Sequence, residues 1–158
     1  MIRRWGWLAM VVVVLDQATK LLALLHLQHG PIELAPVLNL ALAFNTGAAF
    51  SFLADAGGWQ NLFFIVIAIV MSAVILVMTH RLASGDVQVA VALMLVLGGA
   101  AGNLIDRVRF GHVIDFIDVY YRAWHWPTFN IADSAITVGA VLLVLDAFGI
   151  RWRRRSGQ

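Results

Sequence analysis

The chain has 158 residues, of which 61% are apolar and only 13% charged, whereas soluble globular domains carry about a quarter charged residues. This composition excludes a soluble protein, and a net charge of only +2 gives no basis for nucleic-acid binding. The absence of cysteine excludes disulfide frameworks, thiolate metal sites and cysteine nucleophiles.

Four apolar stretches are long enough to cross a bilayer as helices, which takes about 20 residues. Asp16, Gln17 and Lys20 interrupt the first stretch and no small-residue cleavage site follows it, so we interpret it as a retained helix rather than a signal peptide. The sequence therefore predicts an α-helical integral membrane protein with a single domain, 1–158. Its four transmembrane helices cover about 5–27, 59–78, 87–105 and 131–150.

Basic residues are concentrated on one side of the predicted membrane. That side holds Arg3, Arg4, Arg81, Arg151, Arg153, Arg154 and Arg155. The other side holds only Arg107, Arg109 and Arg122. By the positive-inside rule both termini are cytoplasmic, and the two long connections, about 28–58 and 106–130, face outward. Because connections of this kind commonly carry function, we expect the functional site on the outer side.

The first connection contains a strand pattern. Apolar and polar or small residues alternate with a period of two over 38–45, which is typical of a half-buried strand, and a small sheet resting on the membrane is expected there. Gly47 then breaks the pattern before the apolar run 48–50. We predict a turn followed by a segment that dips into the membrane.

A charge near the middle of the first span requires compensation. An unpaired Asp16 would cost about 2.5–3.5 kcal/mol or more in the bilayer. Lys20 lies one helical turn later, in the favourable order of acid before base, and is the expected partner. Two interpretations stay open: the pair only compensates itself, or it braces a polar site at the outer end of the bundle.

The third span ends in a glycine-rich segment followed by polar residues. Gly98 and Gly102 are spaced to let another helix backbone approach closely. Packing does not require Asn103, Asp106 and Arg107, which follow at the predicted outer membrane edge. Asp106 and Arg107 form either a simple ion pair at the helix end or part of a polar site.

Two acids flank the entry into the fourth span. Asp133 is compatible with an ordinary cap or first-turn acid of that helix. Asp115 lies among apolar residues, an environment that raises the pKa of a carboxyl group unless its charge is compensated. If the two converge, their carboxyl groups cannot both ionise. They then share one proton near neutral pH. One then takes a proton from an attacking water and the other stabilises the peptide carbonyl oxygen, which is aspartyl proteolysis.

Other nucleophile schemes have less support. The histidines are too dispersed to indicate a zinc site; they are His26, His29, His80, His112 and His125. Lys20 with Ser51 or Ser134 would require an uncharged lysine, whereas an acid one turn away keeps it charged.

Two further classes of protein remain as alternatives. A proton- or ion-coupled transporter also uses intramembrane acids and lysines, although the four spans show no repeat symmetry. A metal-dependent lipid phosphotransferase is suggested by Asp106, Asp115 and Asp118 together with Arg107, although their spacing fits such enzymes poorly.

Five segments resemble, in the same order, the motif boxes of the lipoprotein signal peptidase (signal peptidase II) family. They are DQATK at 16–20, NTGAAFS at 45–51, GGAAGNLIDR at 98–107, VIDF at 113–116 and FNIAD at 129–133. The resemblance implies an intramembrane aspartyl endopeptidase of the bacterial cytoplasmic (inner) membrane. Such an enzyme removes the signal peptide of a prolipoprotein on the amino side of its diacylglyceryl-modified cysteine.

The same resemblance assigns roles to individual residues. It makes Asp115 and Asp133 the catalytic pair, and it implies that the outward strand segment forms a small β-sheet that cradles substrate. The positions that shape the site or hold substrate are Asp16, Lys20, Asn45, Gly47, Asn103, Asp106, Arg107 and Asn130. The expected partners are lipid-modified prolipoproteins and membrane lipid. We expect a monomer without cofactor, metal or nucleic acid.

Overall fold

The computed structural model describes residues 1–47, 59–83 and 85–152. The described residues form a mostly helical fold with one small antiparallel sheet. The helices are α1 (Ile2–His26), α2 (Trp59–Arg81), α3 (Val87–Phe110) and α4 (Ile131–Ala147). The strands are β1 (Ile32–Ala35), β2 (Leu38–Asn45), β3 (Val113–Tyr121) and β4 (Trp124–His125).

Three of these helices, α1, α2 and α3, are long and apolar enough to cross a membrane. Large apolar side chains such as Leu22 on α1 and Val66 on α2 are exposed, as lipid contact requires. The helix α4 has 17 residues, so the fourth predicted crossing is not confirmed.

The third helix is longer than predicted. The predicted span ended at residue 105, whereas α3 continues to Phe110 and stops at Gly111, whose φ of 77° gives the left-handed conformation common after a helix. Asp106 and Arg107 therefore belong to the helix, and the second connection begins at 111 instead of 106. The polar residues do not end the helix because Asp106 is buried and paired. The other ends shift by a few residues: α1 begins at Ile2, α2 reaches Arg81 and α4 ends at Ala147.

The central helix α3 packs against the other three. A Cβ on Gly98 would lie 2.8 Å from the carbonyl oxygen of Ala9, and a Cβ on Gly102 would lie 2.6 Å from Oδ2 of Asp16. Only glycine allows α1 to approach this closely, which confirms the packing role predicted for these two positions.

The sheet has the order β1-β2-β3-β4 with antiparallel pairing. The predicted strand 38–45 is confirmed as β2, although a register shift between Leu40 and Ala43 disturbs its alternation. Phe116 of β3 packs with Ala23 and Leu27. The sheet is thereby fixed to the end of α1 that lies nearest the polar site.

The turn predicted at Gly47 is also present. This glycine has φ of 94°, and its N–H donates to Oδ1 of Asn45. The predicted membrane-dipping segment 48–50 lies outside the described residues, as do Ser51, Arg153, Arg154 and Arg155.

Candidate active site

A buried ion cluster, which we call the brace, consists of Asp16, Gln17, Lys20 and Asp106. The ammonium group of Lys20 is 2.8 Å from Oδ2 of Asp16 and 2.7 Å from Oδ2 of Asp106. It also donates to Oδ1 of Asn103 at 3.0 Å. These contacts use all three N–H donors of the lysine. The predicted pair of Asp16 and Lys20 is confirmed, whereas Asp106 takes Lys20 as its ion-pair partner in place of the neighbouring Arg107.

The brace connects four elements of the fold. Oδ1 of Asp16 accepts the backbone N–H of Ala132 in the first turn of α4 at 2.9 Å. Oδ2 of Asp106 accepts the backbone N–H of Ile114 in β3 at 3.1 Å, and Gln17 donates to Oδ1 of the same acid at 2.8 Å. Since α1 and α3 supply these side chains, the cluster fixes the starts of β3 and α4. It therefore does more than compensate its own charges.

Asp115 lies in β3 and is only 1% exposed. The register pairs Asp115 with Ala43, so Asn45, two residues along β2, is on the same face of the sheet. Asn45 donates to Oδ2 of Asp115 at 3.1 Å and Asn130 donates to Oδ1 at 2.7 Å. Burial and the negative charge of Asp133 raise the pKa of Asp115 to about 6, against the opposing effects of the two amides and of Lys20.

Asp133 is the third residue of α4 and belongs to a capping box. Its backbone N–H donates to Oδ1 of Asn130 at 2.9 Å, and its Oδ2 accepts the backbone N–H of Asn130 at 3.3 Å. Its Oδ1 accepts a hydrogen bond from the Asn103 amide at 2.7 Å. The interpretation as a first-turn acid is therefore right, and it coexists with a place beside Asp115.

Asn130 joins the two acids. Phe129 pairs with Ile117 of β3 through backbone hydrogen bonds, which brings the start of α4 alongside that strand. Asn130 is fully buried and contacts Asp133 as helix cap and Asp115 through its amide. Residues 18 positions apart in the chain thus meet at one site, which we call the dyad.

The remaining predicted residues border the dyad. The guanidinium carbon of Arg107 lies 4.9 Å from the ring centre of Phe64, and its charge acts on both dyad acids. A side chain at Gly47 would collide with the same ring. The structure thus brings all the predicted site residues into one region. Sequence reasoning missed Phe64, because nothing in the sequence distinguishes it from other apolar residues of α2.

The alternative chemistries do not gain support from the geometry. The donors of Lys20 are saturated, and the Ser134 hydroxyl donates to the carbonyl of Asn130. Asp118 contacts Nδ1 of His125 at 2.8 Å instead of joining the other acids. Within 1–47, 59–83 and 85–152, no group of three or more acids, histidines or cysteines is arranged to hold a metal ion.

Comparison with known proteins identifies the family. A family model for signal peptidase (SPase) II matches residues 8–149. The chain belongs to the signal peptidase II family. Similar members include the lipoprotein signal peptidase of Pseudomonas paraeruginosa, which is 52% identical over 147 residues covering 91% of this chain and 87% of that protein. The lipoprotein signal peptidase of Acinetobacter baumannii is 49% identical over 151 residues, covering 95% and 86% respectively.

Two solved structures described as bacterial membrane enzymes share the fold of this signal peptidase II family member. One has a TM-score of 0.82 and 33% identity, covering 93% of this chain and 94% of that chain. The other has a TM-score of 0.83 and 31% identity, covering 100% and 95%. Together with the three long apolar helices, these matches establish a multi-pass membrane peptidase.

Proposed function

We propose that the chain is an intramembrane aspartyl endopeptidase that cleaves prolipoprotein signal peptides on the amino side of the diacylglyceryl-modified cysteine. The observation that carries this proposal is the convergence of Asp115 and Asp133 on Asn130. Two acids from separate elements are held by one buried residue, and the pKa of Asp115 is raised to about 6. The family and the names of its similar members support the same activity.

The proposed reaction needs one ionised and one protonated acid. The ionised acid removes a proton from water as the water oxygen attacks the peptide carbonyl carbon. The protonated acid gives its proton to the carbonyl oxygen and stabilises the charge that develops there. When the carbon–nitrogen bond breaks, the first acid returns its proton to the leaving amine. The second acid recovers its proton from the collapsing hydroxyl, so the dyad ends as it began.

The supporting residues fall into groups that differ in what they contact. Asn45, Asn103 and Asn130 donate directly to the dyad, whereas Asp16, Lys20 and Asp106 fix the elements that carry it. We also assign substrate positioning to Asn45, together with Gly47 and Arg107, which lie beside Phe64 of α2.

We propose that α4 is a fourth span, so that the chain forms one membrane-embedded peptidase domain. A length of 17 residues lies at the lower end of the range of about 17–25 residues for spanning helices. Exposed Val138, Val141 and Val144 offer an apolar outer face on this helix.

The distribution of arginines supports cytoplasmic termini in the bacterial inner membrane, with the dyad near the outer interface. A diacylglyceryl-modified cysteine anchored in the outer leaflet would place its preceding peptide bond at that depth. We propose that the enzyme acts on such lipid-modified substrates as a monomer surrounded by membrane lipid.

A direct test uses the purified protein in lipid with a synthetic peptide that carries a diacylglyceryl-modified cysteine, and its unlipidated twin. Mass analysis should show cleavage of the lipidated peptide immediately before the modified cysteine and little cleavage of the twin. Absence of cleavage by folded protein would contradict the proposal. Proton or ion flux in proteoliposomes without proteolysis would favour the transporter alternative.

A further inference from the structure

Three asparagine amides surround the dyad, and each has its oxygen held by a donor. Oδ1 of Asn45 accepts the N–H of Gly47, and Oδ1 of Asn130 accepts the N–H of Asp133. Oδ1 of Asn103 accepts from the Lys20 ammonium group at 3.0 Å and from the Asn130 amide at 3.2 Å. Because an amide has its oxygen and its NH₂ group on opposite arms, each of these contacts turns an NH₂ group toward a dyad acid.

The orientation of Asn103 depends on Lys20. An ammonium group has only donors, so a reversed amide would place its NH₂ group against the N–H bond of Lys20 that points to Asn103. Lys20 is 2% exposed and is itself held by Asp16 and Asp106, so it cannot turn away to water. The observed orientation is therefore the one that the brace permits, and it directs Nδ2 of Asn103 to Oδ1 of Asp133 at 2.7 Å.

This geometry distinguishes the two acids. Asp133 accepts from an amide whose orientation a buried cation fixes, and it also lies in the first turn of α4, where the helix dipole favours a negative charge. Asp115 lies in a strand, without a helix terminus of its own, and the oxygens of its two amide donors are held by the backbone N–H groups of Gly47 and Asp133 rather than directly by a cation. The surroundings thus favour the carboxylate form at Asp133 more than at Asp115.

We propose that Lys20 is a positioning residue for the reaction: by fixing the Asn103 amide it keeps Asp133 the unprotonated base of the dyad and leaves the shared proton on Asp115. This inference rests on the proposed function, because it assigns roles within the same dyad. Asp133 faces the charges of Arg107 from α3 and Asp115 from β3, and Lys20 from α1 acts on Asp115. Asp16 from α1 and Asp106 from α3 both contact Lys20.

The main test is Asn103→Leu, which removes the amide and leaves both ion pairs of Lys20 in place. Loss of a hydrogen bond to a charged group should lower kcat roughly 10- to 100-fold on the lipidated peptide. KM should change little. The acid limb of the kcat/KM profile should move to higher pH, because a proton can then occupy Asp133 and block the base.

A matched control is Gln88→Met, on the same helix. Gln88 is also buried, and its amide donates to the carbonyls of Leu142 and Ile150 at 3.1 and 3.0 Å. Loss of this amide should lower thermal stability but leave the pH profile in place. A shift of the profile in this control as well would overturn the inference, because any lost buried amide would then have the same effect.

A double-mutant cycle tests the part played by Lys20. If Lys20 acts through Asn103, Lys20→Met should lower kcat much less in the Asn103→Leu background than in the wild type. Additive effects would overturn the inference. If Lys20→Met does not fold, the charge-balanced pair Lys20→Met with Asp106→Asn takes its place, with Asp106→Asn alone as reference.

An Asn103→Leu variant with wild-type kcat and an unchanged acid limb would also overturn the inference, since the amide would then have a structural role only. That result would leave the proposed function intact so long as Asp115→Asn and Asp133→Asn are inactive. Cleavage by either aspartate variant would instead contradict the proposed function itself.

Discussion

Two polar clusters meet at Asn103, and they differ in how their negative charges are compensated. In the brace, the Lys20 ammonium group lies 2.8 Å from Asp16 and 2.7 Å from Asp106. In the dyad, Asp115 and Asp133 accept hydrogen bonds from amide and backbone N–H groups. Within the described part of the chain, no ion pair reaches either dyad acid.

The comparison shows that burial alone does not mark a reactive group. Asp16 and Asp115 are both buried. The first is held by a cation, whereas the second has only neutral donors within hydrogen-bonding distance and a second acid nearby. Two acids in that situation relieve their repulsion by retaining a proton. A paired cluster therefore stabilises the fold, and an incompletely compensated one is available for proton transfer.

The largest effect is expected from changing the dyad itself. Asp115→Asn or Asp133→Asn should each lower turnover of the lipidated peptide by roughly a thousandfold or more, because the base or the acid is lost. Both variants should still insert and accumulate. Asp146→Asn, at the opposite end of α4, is the control for changing a carboxylate in the same helix. Near wild-type turnover in either dyad variant would show that the pair is not catalytic.

Substitutions in the brace should mainly lower the stability of the fold. Lys20→Met leaves Asp16 and Asp106 buried without their cation, so the free energy of unfolding in micelles should fall by about 3–5 kcal/mol. Arg151→Met breaks the partly exposed pair of Arg151 and Asp146 and should cost about 1 kcal/mol or less. Equal losses in the two variants would contradict the structural role given to the brace.

A smaller effect concerns the pH dependence of stability. The pKa of Asp115 in the fold, about 6, lies above its ordinary value of 3.8, so the folded state holds this proton more tightly than the unfolded state. Stability should therefore fall as pH rises from about 4 to about 6 and stay reduced above that. Asp115→Asn removes this dependence, so above pH 6 its Tm should exceed that of the wild type. If Asp115→Asn melts at a lower temperature than the wild type both at about pH 4 and above about pH 6, the expected direction of the pH dependence is wrong.

The smallest expected effect is that of a chelator. The dyad donors are part of the fold and the proposed steps use only water and the two acids, so cleavage with a strong chelator present should equal cleavage without it. Loss of activity that a divalent cation restores would contradict a reaction that uses only water and the two acids. It would favour the metal-dependent phosphotransferase alternative.

The sequence predicts the elements whose signals are local. The lengths of the apolar stretches predict α1 to α3, the alternation over 38–45 predicts β2, and the spacing of Asp16 and Lys20 predicts their pair. The strand β3 gives no such signal, because residues 113–116 are all buried and the period of two disappears.

The composition of the site depends on contacts between distant parts of the chain. Asp106 of α3 pairs with Lys20 of α1, although the whole of α2 lies between them in the sequence. Asn45 reaches Asp115 only because β2 pairs with β3. Neither contact follows from local spacing. From the residues alone, aspartyl proteolysis follows only on the condition that Asp115 and Asp133 converge, and the resemblance to the family implies that they do.

The central claim is that Asp115 and Asp133 hold one proton between them until the pH rises past about 6. The most direct measurement is an infrared titration of carboxyl protonation in lipid, comparing the wild type with Asp115→Asn. We predict that the wild type has a protonated carboxyl signal that disappears as pH rises through about 6 and that the variant lacks it. A wild-type protein whose carboxyl groups all titrate around the ordinary Asp pKa of 3.8 would contradict the claim.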